Sequence, residues 1–169
     1  MNDKRKYQKT VEALLYLCNK DTRLYWVLKM LWRAEQLHLS RYGMPLINDK
    51  YIAMSHGPVP SLAYDIAKDA RGGDTYSFDN PDPQKVLDAP DNRTLSPKRR
   101  ADTQRLSESD IECLEEAFKE LSPLSFGAIK TLSHTQAYKS AQEDDVIPFD
   151  EFVRELENGE QLLELLVES

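Results

Sequence analysis

The sequence predicts a mainly α protein of the α+β class, a compact helical domain around a central helix with a small antiparallel sheet. Three observations lead there. Apolar residues recur at helical spacing through several segments. The stretch from Leu24 to Leu39 is apolar nearly all round, as a helix packed on several sides must be. A short run of strand formers, Tyr51-Ile52-Ala53-Met54, follows where helical period is lost. With 169 residues, 40% hydrophobic and 30% charged, the chain can close one sizeable core and is too apolar to remain unfolded, so a single domain over 1–169 is expected.

Val11, Leu14, Leu15 and Cys18 give the first helix one buried face over Thr10 to Cys18, and Asn19-Lys20-Asp21-Thr22 breaks it. The central helix begins at Leu24, with Tyr25, Trp26, Val27, Leu28, Met30, Leu31 and Trp32 close behind. Arg41 in its last turn, Gly43 just beyond and Pro45 after that are the chemistry of a helix stop, so it spans 24–42. Tyr51 to Met54 reads as one edge strand. His56-Gly57-Pro58-Val59-Pro60 cannot be helical, because two prolines fix φ and Gly57 permits a sharp turn. A helix follows from Ser61, packing through Leu62, Ile66 and the alanines at 63, 67 and 70, and Gly72-Gly73 ends it.

Residues 72–105 are polar, with prolines at 81, 83, 90 and 97, which excludes a long helix. Gln84 to Asp88 and Arg93 to Ser96 are read as a hairpin across 89–92. Helical signals return where Ser107 and Asp110 resemble a capping box and Leu106 and Ile111 a hydrophobic staple. Ile111, Leu114, Ala117, Phe118 and Leu121 line that helix until Pro123 stops it. A second staple, Leu124 and Ile129 around a Ser125 cap, predicts a short helix to about Leu132. Another short helix carries Ala137, Tyr138 and Ala141. Ile147-Pro148-Phe149 then enters a helix that turns Phe152, Val153 and Leu156 inward. Gly159 interrupts it, and Leu162, Leu163, Leu165, Leu166 and Val167 must pack on the body or on a partner.

Chemistry is sparse. The 22 basic and 29 acidic residues give a formal charge of −7, which disfavours nucleic acid and anionic lipid and favours a basic partner. No apolar signal core follows the charged N-terminus and no apolar run is long enough to span a membrane, so a cytoplasmic location is expected. Cys18 and Cys113 lie on apolar-periodic stretches and read as free, buried thiols. His38, His56 and His134 stand alone, without zinc spacing, and read as structural. Ser55 beside His56 lacks the strained elbow and oxyanion loop of a hydrolase. The glycines form no phosphate-binding run. Asp82 and Glu112 with Lys85 or Lys119 match a nuclease pattern only by chance among so many acids. Lys98-Arg99-Arg100, with Arg93 and Arg105 near, reads first as a solvated loop, then as a protein contact, and last as a nucleic-acid contact. Trp26, Trp32, Tyr25 and Tyr16 are assigned to the core. No catalytic, cofactor or metal site is expected.

Ordered motifs across residues 10–157 resemble the Panacea domain, also called the SocA-like antitoxin domain. That family's K-L-L-Y-L-A-D helix, Y-G-x-P turn, D-x-Y-x-A strand, G-P-V turn and L-Y-D helix resemble Lys29 to Glu35, Tyr42 to Pro45, Asp49 to Ala53, His56 to Pro60 and Ala63-Tyr64-Asp65. Its L-S-x-x-E, S-H-x-x-x-W and I-P-F segments look like Leu106-Ser107, Ser133 to Tyr138 and Ile147-Pro148-Phe149. Trp32 replaces the tyrosine and Tyr138 the tryptophan of the usual pattern, and both keep a large ring. The resemblance implies an antitoxin that binds a protein toxin directly, with no cofactor. An adaptor that delivers the toxin to a protease is the alternative, with a protease or chaperone as a further partner, and an enzyme or nucleic-acid-binding regulator is the alternative of another class. The expected recognition surface joins Tyr51, His56, Gly57, Pro58 and Tyr64 to Tyr76 and Phe78 on the 72–105 segment, because loops carry variable, functional residues.

Overall fold

The structure is a computed structural model and describes residues 2–72 and 82–168. Helix α1, Asp3–Cys18, begins seven residues before the apolar repeat does, because the Asn2 side chain accepts the Arg5 N–H and caps it. Its first turn is charged and exposed, so periodicity gave no sign of it. Helix α2, Leu24–Tyr42, ends as expected at Gly43, which takes a left-handed φ of +68° and donates its N–H to the Leu39 carbonyl. Two clusters of buried side chains pack on α2. Met30, Leu31 and Ala34 join one with Leu14 and Leu17 of α1 and Leu114 and Ala117 further on, while Trp32 and Leu39 join another with Tyr51, Phe152 and Leu162. A helix serving two cores is buried on nearly every side, and α2 buries Lys29, Glu35, Gln36 and His38 along with its apolar residues.

The single edge strand expected at 51–54 is instead interior to a small sheet. β1, Tyr51–Met54, pairs antiparallel with β2, Gly57–Pro60, in the register Ile52 to Val59. On its other side Ala53 donates to Asp145 O and Ile147 to Tyr51 O. Those bonds turn the Ile52 backbone groups toward β2, so Val59 faces β1 while Pro58 and Pro60 face away, where a missing N–H costs no ladder bond. The prolines that argued against a strand occupy its tolerant positions. Helix α3, Ser61–Ala70, has no cap on its own N-terminal neighbour; Asp49, from before β1, accepts the Leu62 and Ala63 N–H groups instead.

The hairpin predicted between 84 and 96 is displaced. Asp82 caps Gln84 and, with Pro83, sets a 3₁₀ turn over Pro83–Lys85. Only β3, Leu87–Asp88, and β4, Ser96–Pro97, pair, while Leu95 donates to Thr22 O and the Arg93 carbonyl accepts from Leu24. Leu87, Ala89 and Leu95 are buried, so residues 82–105 are built into the body and are no loose loop. Helix α4, Glu108–Leu121, carries the complete capping box of Ser107 and Asp110, and α5, Phe126–Ser133, the Ser125 cap. Helices α6, Gln136–Ser140, and α7, Phe149–Arg154, are joined by Glu155, which accepts from Thr135 Oγ1 and Ala137 N. Gly159 begins α8, Gly159–Glu168, and does not break a longer helix; a Cβ there would lie 2.3 Å from the Val153 carbonyl oxygen, so only glycine lets α8 fold back on α7. Leu162 is buried against the body, whereas Leu165 is 64% exposed.

Candidate functional site

The tip of the β1–β2 hairpin rests on a cluster of polar and aromatic side chains drawn from distant parts of the chain. Lys29 lies mid-way along α2, 1% exposed, and donates from Nζ to the Pro58 carbonyl at 2.8 Å. Its ammonium stands 4.6 Å from the centroid of the Tyr25 ring, one turn earlier on α2. Among the described residues no carboxylate pairs with it, and burial pushes its pKa down to about 7. Tyr25 donates to the His56 carbonyl at 2.8 Å, and burial pushes its phenol up to about 12. Two side chains of α2 therefore hold the carbonyls of the residues on either side of Gly57.

Gly57 makes this contact possible. Its φ is +119°, and a Cβ would fall 2.5 Å from Ser133 Oγ and 2.9 Å from Lys29 Cε. From the other side, Tyr138 donates to the Met54 carbonyl at 2.5 Å and stacks on His134 with centroids 4.3 Å apart. Burial, and then the cations Lys130 and Lys29, hold the His134 imidazole below its usual range. Its Nε2 is buried without a hydrogen-bond partner. Above this base sits Phe126, at the start of α5 and 40% exposed. It packs on Tyr25 at 4.6 Å and on His56 at 5.3 Å. The outward face is thus a rigid aromatic platform of Phe126, His56 and half-buried Tyr25. Lys29 is sealed beneath it and acts as a clamp on the turn, out of reach of a substrate.

Of the residues expected to form a recognition surface, His56, Gly57 and Pro58 meet here, but only His56 is exposed. Tyr51 is 5% exposed, its ring stacked on Phe152 at the far end of the strand. Tyr64 is half-buried on α3 beneath Lys68. Tyr76 and Phe78 lie outside the described residues. Tyr25, Lys29, Phe126, Ser133 and His134 belong to the site although the sequence reading did not place them there. Of the four aromatics expected in the core, Trp32 is 3% exposed, whereas Tyr25, Trp26 and Tyr16 are half-buried at its surface. The available signal is Lys29, the one charged residue in the otherwise apolar stretch 24–32.

Other candidates resolve into structural roles. Arg99 makes a two-pronged ion pair with buried Glu12, at 2.8 and 2.9 Å, and Lys98 donates to Gln84 O at 2.6 Å, so this part of the basic run braces the 82–105 segment against α1 and is no free solvated patch. Arg100 alone of the three has no such partner and is exposed. Glu112 accepts from Arg41 and from the Tyr42 hydroxyl. His38 is buried between the Met44 carbonyl at 2.6 Å and Ser109 at 2.9 Å, 3.3 Å from Asp110. Cys18 and Cys113 are free and buried, as expected, and burial pushes their thiols up to about 12 and about 11. No helix among the described residues is long and apolar enough to cross a membrane, and none of their His, Cys, Asp and Glu side chains form a group able to hold a metal ion.

The three sequence blocks that meet at the hairpin tip, around Lys29, Gly57-Pro58 and Ser133 to Tyr138, all fall within one family match. The family model described as antitoxin SocA-like, Panacea domain, covers residues 27–139. Among curated proteins and among solved structures nothing matches the chain. The family match spans about two thirds of the 169 residues and runs from α2 through the hairpin to α6, so the chain belongs to the SocA-like antitoxin family of Panacea-domain proteins.

Proposed function

We propose that this chain neutralises a cognate protein toxin by direct, stoichiometric binding, and that the aromatic platform at the hairpin tip is part of the contact. The observation that carries the reading is Phe126, exposed but held against Tyr25 and His56 on a turn pinned by Lys29. Binding energy at protein interfaces concentrates in aromatic anchors, and rigid ones bind at a smaller entropic cost. The formal charge of −7 favours a basic toxin. On this reading the complex forms in the cytoplasm without a cofactor. The test is co-expression with the toxin encoded beside it. The wild-type chain should rescue growth and co-purify with the toxin at fixed stoichiometry, whereas Phe126→Asp should lose both while its circular dichroism is unchanged. Failure of the wild-type chain to bind or rescue overturns the reading.

A second reading, delivery of the toxin to a protease, draws on Leu165, an apolar side chain left 64% exposed on the last helix. Degradation of the toxin by an added protease, dependent on this chain and lost in Leu165→Asp, would favour it over simple sequestration.

A further inference from the structure

At the opposite end of β1 from the platform lies a cavity of about 380 Å³, within the range of ligand-binding pockets. Its wall is drawn from α1, α2, the approach to β1, the 146–148 stretch and α7. Most of that wall is apolar. Ile147 and Phe152 are buried in it, and the Tyr51 ring is stacked on Phe152 with centroids 5.1 Å apart. The Tyr51 hydroxyl is itself buried, so this residue offers an occupant only its ring. Val146 and Phe149, 48% and 49% exposed, complete the apolar side.

The charge that an occupant can meet is positive. Lys6, half-buried on α1, and Lys50, exposed just before β1, both line the cavity. Among the described residues neither forms an ion pair, although their neighbours in sequence and space do, Lys9 with Asp110 and Lys68 with Asp65. The two carboxylates of the lining are already engaged. Glu35 accepts the Leu46 and Ile47 N–H groups, and Asp49 those of Leu62 and Ala63. Lys6 is near enough to Asp49 to lower its pKa without pairing with it. Lys6 and Lys50 also border a neighbouring hollow of about 270 Å³, whose acids Asp3 and Asp65 lie outside the cavity. The exposed amide of Asn48 adds a neutral donor to the lining.

We infer that this cavity binds a small amphipathic carboxylate, with a flat apolar body set among Phe149, Val146 and the rings of Tyr51 and Phe152, and its carboxylate held by Lys6 and Lys50. The inference goes beyond the antitoxin reading and does not depend on it, since no toxin is needed to fill the cavity. Each part of the ligand answers one part of the wall. A cavity of about 150 Å³ holds a benzene ring, so this one has room for a body of two fused rings. Aromatic walls favour a flat body that can stack in an offset or edge-on manner. Two cations with no carboxylate of their own attract an anionic head, give a neutral one only hydrogen bonds, and repel a cationic one. A polypeptide is a poorer fit, because its backbone N–H and C=O groups would lose water against walls that offer few partners.

The experiment titrates the full chain with naphthoate, naphthamide and naphthylmethylamine, which share one body and carry an anionic, a neutral and a cationic head. Calorimetry reads the affinity, and backbone-amide NMR shifts locate the site. Naphthoate should bind one to one and about tenfold more tightly than naphthamide, with the amine weakest. Its advantage over the amide should shrink as salt is added. The shifted amides should cluster over 48–51 and 146–149. Lys6→Gln combined with Lys50→Gln should bring naphthoate down to the affinity of naphthamide, whereas Lys6→Arg with Lys50→Arg should keep the preference. Phe149→Ser should weaken all three compounds. These changes alter exposed or half-buried side chains, and circular dichroism checks that the fold persists. Three heads bound alike, no saturation by naphthoate below about 1 mM, or shifts centred on Phe126 instead, would each overturn the site. A preference for the carboxylate that survives the paired Lys→Gln changes overturns the part given to the lysines. The titration needs no toxin, so its failure is separable from failure of the rescue assay.

Discussion

Lys29 shows how one residue ties fold to surface. A charged ammonium inside the protein is costly, and here a carbonyl and the face of a tyrosine ring offset only part of that cost, since its pKa falls from 10.5 to about 7. The unfolded chain keeps the proton up to the higher value, the folded chain only up to the lower one. The penalty is therefore complete below pH 7 and relieved as pH rises toward 10.5, so stability increases with pH across that window. In urea melts, the stability of wild type relative to Lys29→Met should become more favourable from pH 7 to pH 9. Taking the difference removes the opposing alkaline effect of Cys18 and Cys113, which is common to both proteins. A difference that is flat with pH would show that Lys29 keeps its proton as readily folded as unfolded. Gly57 is the companion test. Gly57→Ala combines a left-handed φ of +119° with a Cβ 2.5 Å from Ser133 Oγ, and should cost about 1–3 kcal/mol. A Gly57→Ala protein as stable as wild type would mean that the turn is free to shift away from α2.

At the scale of elements, the start of α4 is the best specified in the chain. Ser107→Ala removes the side chain that accepts the Asp110 N–H at 3.1 Å and should cost about 0.5–2 kcal/mol in the same melts. Asp110→Asn should cost more, because the carboxylate also receives the Ser107 N–H and Lys9 at 3.0 Å and lies 3.3 Å from the His38 ring nitrogen. Burial alone would raise the Asp110 pKa, yet these partners hold it down to about 2. Its stabilisation is present above its ordinary value of 3.8 and lost as pH falls toward 2, so the gap between wild type and Asp110→Asn should close in acid. Equal losses for Ser107→Ala and Asp110→Asn at neutral pH would show that Lys9 and His38 contribute nothing. Caps of this kind are local, which is why the starts at Ser107 and Ser125 and the stop at Gly43 were legible in the sequence. β2 was not, because proline disfavours a strand until the register shows that Pro58 and Pro60 face away from the ladder. The 84–96 hairpin was misplaced because Leu95 and Arg93 bond to Thr22 and Leu24, far away in the chain. The site was legible only as separate motifs: nothing local places Ser133 beside Lys29.

At the scale of the whole molecule, the 82–105 segment and the overall charge point in different directions. The segment looked like exchangeable surface, but Leu87, Ala89 and Leu95 lie in the core and Arg99 is anchored on Glu12, so replacing all of 72–105 removes part of the body along with any specificity it holds. Discrimination between toxins is better sought at the hairpin tip. The charge acts at longer range. The formal charge is −7, and exposed Glu143, Asp144, Asp145 and Asp150 concentrate acidic charge in the stretch that holds exposed Val146 and Phe149. Unlike charges attract over roughly 10 Å at 0.1 M salt and much less at higher salt. The aromatic contacts at Phe126 are short-ranged and little affected. Stopped-flow mixing with the toxin at rising salt should therefore show the association rate falling while the dissociation rate changes little. Asp144→Asn combined with Asp145→Asn should flatten the salt dependence of association, and Phe126→Ala should speed dissociation without altering it. An association rate indifferent to salt would mean that the toxin is not basic, and salt-sensitive dissociation with steady association would move the charge pairs from the approach into the bound complex.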